Sequence, residues 1–75
     1  MSTLKQQLDK QFRDFQIMVS GEISYIGTYN VKVLFHPGPG VLEFILNING
    51  SWTVIHLENE YVECLTDKEI TKYYY

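Results

Sequence analysis

Leu4, Leu8, Phe12 and Phe15 recur at helical intervals, so they line one face of an amphipathic helix. Lys5, Gln6, Asp9, Lys10 and Arg13 occupy the other face. Thr3 and Gln6 have capping-box spacing, which places the helix start near residue 3. The helix is expected over 3–15, because the apolar period changes from about four to two after Phe15.

Residues 16–65 read as strands. Ile17, Val19, Ile23 and Tyr25 alternate, with Gly21 as a gap. Tyr29, Val31, Val33 and Phe35 follow, then Leu42, Phe44, Leu46 and Ile48. A fourth run holds Trp52, Val54 and His56 on one parity and Ile55 and Leu57 on the other. Val62 and Cys64 make a short fifth run. β-branched and aromatic residues dominate, as pleated strands favour. Gly27 suits a hairpin with a bulge glycine, and the prolines of residues 36–39 cannot continue a strand. Asn49-Gly50 is the strongest hairpin signal, and Asn59-Glu60 is a weaker one.

The tail returns to helix. Thr66 and Glu69 repeat the capping-box spacing, with Leu65 and Ile70 placed as a hydrophobic staple. A short helix is expected over 67–72, followed by an aromatic tail over 73–75. The tail is expected to be a frayed end with one ring tucked onto the core. A sticky aromatic anchor is the alternative.

Register then assigns faces. A two-residue turn at Asn49-Gly50 pairs Leu46 with Thr53, Phe44 with Ile55 and Leu42 with Leu57, and opposed residues share a face. The same logic at Asn59-Glu60 pairs Ile55 with Cys64 and His56 with Glu63. Upstream, Tyr25 opposes Tyr29, Ile23 opposes Val31 and Val19 opposes Phe35. A loop over 36–39 aligns Val33 with Leu42 and Val31 with Phe44. Phe44, Leu46, Ile48, Ile55 and Cys64 then face the helix. Ile45, Trp52, Val54 and Leu65 centre the second face, with Glu43, His56, Tyr61 and Glu63 on its rim.

The predicted fold is α+β: an N-terminal helix on a five-stranded antiparallel meander, with a short C-terminal helical turn. A strongly bent or barrel-like sheet is the variant that would cover both faces.

Seventy-five residues make one domain, 1–75. At 45% hydrophobic and 15% aromatic the chain can build a core despite its size. A net charge of −3, with Lys32 the sole basic residue in the strands, argues against nucleic-acid binding. One cysteine excludes an intrachain disulfide framework. The first residues, MSTLKQQLDKQF, hold no apolar core of a signal peptide, and no run is long enough to span a bilayer. A cytoplasmic setting is the expectation.

No catalytic motif emerges, so no enzyme activity and no cofactor are expected. The 36–39 loop lacks the Gly-Lys-Ser/Thr ending of a phosphate cradle and precedes a strand. His36 stands in it without a sequence-near partner. Cys64 and His56 fall on opposite faces and cannot form a dyad. His56 between Glu43 and Glu63 would form an ion cluster, with a divalent-metal site as the sharper alternative.

Function is read from the second face. An apolar patch with a polar rim marks an interaction site, and Trp and Tyr are common hot spots. The expected function is a small non-enzymatic protein-binding module, an inhibitor or adaptor. Its face would comprise Trp52, Ile45, Val54, Glu43, His56, Glu63 and Tyr61. The acidic rim suits a partner with a basic surface. Small host-interfering proteins of phages and mobile elements share this size and charge, which is an analogy only. The alternative is a self-associating homodimeric domain, or one closing around a small apolar ligand.

Overall fold

The chain is described by a computed structural model, which covers residues 3–19, 21–35 and 40–74. His36, the rest of the 36–39 loop and Tyr75 lie outside the described residues.

Helix α1 spans Leu4–Met18. Thr3 caps it: the Thr3 hydroxyl accepts from the Gln6 N–H at 3.1 Å, and the Gln6 side chain accepts from the Thr3 N–H at 2.9 Å. The helix runs one turn past its expected end at Phe15. Leu8, Phe12, Phe15 and Val19 are all buried on one face, and the Val19 N–H closes the last turn on the Phe15 carbonyl. Val19 satisfied both periods in the sequence, and burial against the sheet selects the helical one. Ile17, expected in a strand, is 74% exposed on the helix surface.

Five antiparallel strands follow in sequential order: β1 (Glu22–Tyr25), β2 (Asn30–Phe35), β3 (Leu42–Leu46), β4 (Trp52–His56) and β5 (Tyr61–Leu65). The sheet is an open meander, not a barrel, with β1 and β5 as its edges. Helix α2 spans Asp67–Tyr74. It begins with the expected capping box: Glu69 N–H donates to Thr66 Oγ1 at 3.3 Å, and Glu69 Oε1 accepts from the Thr66 N–H at 3.1 Å.

The β2–β3 register is as expected, with Val33 opposite Leu42 and Val31 opposite Phe44. At β1–β2, Tyr25 opposes Val31 rather than Tyr29. The shift is two residues, so the faces keep their parity. The β4–β5 register also moves by two, placing Val62 rather than Cys64 opposite Ile55.

The decisive correction lies at β3–β4. Leu46 opposes Trp52, Phe44 opposes Val54 and Leu42 opposes His56. The turn is a three-residue loop, Ile48–Gly50, closed by Asn47 N–H to Ser51 O at 2.8 Å. Gly50 has φ +86°, and its N–H donates to the Asn47 carbonyl at 2.9 Å. Asn49 is not at positive φ, so the two-residue type I′ turn does not form. One extra loop residue turns every β4 side chain to the opposite face.

Both helices pack on that one face. Trp52, Phe15, Phe44, Leu42, Ile70, Val31, Val33 and Val54 are fully buried there. Phe15 sits 4.4 Å from the Trp52 ring and 4.9 Å from Phe44, centroid to centroid. Tyr73 and Tyr74, expected in a frayed tail after residue 72, belong to α2: Tyr74 packs edge-on to Phe44 at 5.2 Å, while Tyr73 stays exposed. Ile48, expected in the core, projects from the turn at 76% exposure.

Candidate functional site

The seven residues expected to share one face are divided. Trp52 and Val54 are core residues beneath the helices. His56, Tyr61 and Glu63 share their face but sit at its margin, since Tyr61 opposes His56 and Glu63 opposes Val54. Ile45 and Glu43 alone remain on the uncovered side. The β4 flip causes this division: Trp52 and Val54 exchanged sides with Ile55 and Thr53.

At the helix-side margin, His56 Nε2 lies 2.6 Å from Glu63 Oε2. The Tyr74 hydroxyl donates to the same oxygen at 3.1 Å. The Tyr61 ring stands 5.3 Å from the imidazole. The expected His56–Glu63 contact therefore exists, reached diagonally rather than by direct opposition. Burial, then the hydrogen bond to the Glu63 carboxylate, pushes the Tyr74 phenol up to about 12. Chemically this is a clasp: one carboxylate ties β4 and the end of α2 together.

Glu43, the third member of the expected metal trio, lies on the other face. No group of three or more His, Cys, Asp and Glu suited to a metal ion occurs among the described residues. Cys64, expected in the core, is exposed on the uncovered face, away from His56. The dyad remains excluded, though both residues exchanged sides.

The uncovered face is built from two cross-strand rows. One runs Ser24, Lys32, Glu43, Ile55, Val62, and the next runs Asn30, Ile45, Thr53, Cys64. Ile45 and Ile55 are half-buried, Val62 is 58% exposed and Leu34 is also exposed. Asn47 braces the row end, donating through Nδ2 to Thr53 Oγ1 at 3.0 Å and to Ser51 Oγ at 3.2 Å. Lys32 and Glu43 are the charges at its centre. Ile55, Val62 and Cys64 were missed as surface residues. The signal that could have found them was Gly50 itself, which suits a three-residue loop as well as a two-residue one.

Comparison with protein-family models, curated proteins and solved structures returned no match. Among the described residues no helix is long and apolar enough to cross a membrane.

Proposed function

We propose that the chain is a non-enzymatic protein-binding module whose contact surface is the uncovered sheet face. One observation carries this reading: α1 and α2 both occupy the same side of a single sheet. Ile45, Ile55 and Val62 are thereby left on adjacent strands with no helix over them among the described residues. Apolar surface collected in one place with a polar margin is the usual mark of an interaction site.

The binding role passes from an acidic, aromatic face to an aliphatic one. Trp52 is enclosed, and Glu63 is turned toward His56 and Tyr74. The preference for a basic partner loses its support, because Lys32 balances Glu43 at the face centre. An inhibitor or adaptor role remains the form of the proposal, and an exposed, unpaired Cys64 favours a reducing compartment such as the cytoplasm.

Affinity capture from the source cell tests it, using the native chain and the variants Ile45→Lys and Ile55→Lys as baits. A partner retained by the native chain and lost by both variants is expected. A partner set unchanged by both substitutions overturns the proposal. Circular dichroism of each bait verifies the fold.

A further inference from the structure

The two edges of the sheet differ. Strand β1 is four residues long and broken by an irregularity between Glu22 and Ile23. Short length and bulges are the devices that discourage edge pairing. Strand β5 is five residues long, Tyr61–Leu65, with a regular register against β4 and no Pro or Lys. Its single charge, Glu63, is bound by His56 and Tyr74 on the helix side, a mild deterrent to pairing that leaves the strand's length and regular register in place. Helix α2 lies over the sheet face through Ile70 and Tyr74. As an edge strand paired only with β4 among the described residues, β5 presents its outer backbone donors and acceptors beside exposed Val62.

Charge at the two ends of β5 is of opposite sign. Glu58 and Glu60 precede it, while Lys68 and Lys72 follow on α2. None of these four forms an ion pair among the described residues. The acids near the second end are already engaged: Asp67 accepts from Trp52 and Gln11, and Glu69 caps α2.

We propose that β5 pairs antiparallel with β5 of a second copy of this chain, forming a two-fold dimer with a continuous ten-stranded sheet. Antiparallel pairing sets each copy's acidic end beside the other's lysine-bearing end. An unrelated strand would have to carry that same end-to-end charge gradient, whereas a second copy carries it by symmetry. A single unprotected edge closes the assembly at two copies and gives no filament. The accessible surface of one copy, 4896 Å², is close to the roughly 4800 Å² expected of a folded monomer of this mass. One copy is thus as compact as a folded monomer, and the proposed pairing uses only its edge.

Sedimentation of the full chain tests this across concentrations. The expected result is a concentration-dependent dimer, weakened at least about tenfold by Val62→Lys and unaffected by Ile45→Lys on the uncovered face. Chains bearing Lys68→Glu with Lys72→Glu, and chains bearing Glu58→Lys with Glu60→Lys, should each dimerise poorly and recover when mixed. Spin labels on Cys64, the sole cysteine, should lie within about 15 Å of each other, a few strand residues apart. A monomer at every concentration overturns the inference. So does a dimer broken by Ile45→Lys but not by Val62→Lys, or charge variants that do not recover on mixing. Loss of self-association with partner capture intact would defeat this inference alone, because the capture variants lie on the sheet face and not on its edge.

Discussion

The Trp52 indole N–H donates to Asp67 Oδ1 at 3.0 Å, bridging the first residue of β4 and the first of α2. Gln11 of α1 donates to the same oxygen at 3.1 Å and to the Gly50 carbonyl at 2.7 Å. One carboxylate therefore holds the β3–β4 turn, both helices and the largest core side chain in a common arrangement. Burial of an indole requires such an acceptor, since an unpaired buried N–H costs about 1–3 kcal/mol.

Trp52→Ala should cost roughly 3–5 kcal/mol, through loss of the buried ring and the cavity left behind. That is comparable to the whole stability of a small domain, so the variant should be largely unfolded by circular dichroism. Asp67→Ala should cost about 1–2 kcal/mol in urea denaturation. Trp52 is the only tryptophan, so acrylamide should quench its native emission poorly and its unfolded emission well.

Deleting Ile48 should preserve the fold. The loop Ile48–Gly50 would shorten to Asn49-Gly50 while Asn47 and Ser51 stay paired, giving the two-residue type I′ geometry that this dipeptide favours. Leu46 would still oppose Trp52. Stability within about 1 kcal/mol of the native chain is expected, with Trp52 still shielded from acrylamide. Strong quenching in the folded variant would show that the register had moved.

Glu60 has φ +53° and is the non-glycine residue with positive φ among the described residues. It follows the turn closed by the Asn59 N–H on the His56 carbonyl. A left-handed conformation costs an ordinary side chain roughly 1–2 kcal/mol, part of which glycine returns as greater freedom in the unfolded chain. Glu60→Gly should therefore raise stability by about 0.5–1 kcal/mol in urea denaturation.

Alkali should loosen α2. The Tyr74 phenol, raised in the folded state to about 12 from its ordinary 10.0, favours the folded chain while protonated. Its contribution is fully present below pH 10 and is lost as pH rises through the folded value near 12. Urea midpoints should fall over that window, and Tyr74→Phe should flatten the fall. Tyr29, raised by its hydrogen bond to Asp9, accounts for part of what remains.

At the acid end, Asp9 is held below its usual range, first by the hydrogen bond from Lys5 and then by that from Tyr29. Its contribution is present above the unfolded value and is lost as pH falls through the lowered one. Asp9→Asn should flatten the acid side of the stability profile measured between pH 5 and 2.

Much of this architecture was legible along the chain. Both capping boxes lie where Thr3–Gln6 and Thr66–Glu69 placed them. The meander and the β2–β3 register followed from alternation together with the turn signals, the 36–39 loop among them. Parity also survived at β1–β2 and β4–β5, because loop errors of two residues leave each side chain on its face. Apolar residues on both parities of residues 44–55 left the β3–β4 turn without that protection. Phe44 with Ile55, or Phe44 with Val54, made equally apolar pairs on paper.

Element types, their order and the helical capping are readable along the chain, because these depend on spacings within a few residues. So is the apolar character of one sheet face. Tertiary structure decided which residues that face contains. Phe15 and Ile70 close over Trp52, and Asp67 satisfies its indole, only when Ile48–Gly50 makes a three-residue loop. The physical reason is that local turn chemistry at Asn49-Gly50 admits two loop lengths one residue apart. Only the packing of distant helices distinguishes burying Trp52 and Val54 from burying Thr53 and Ile55.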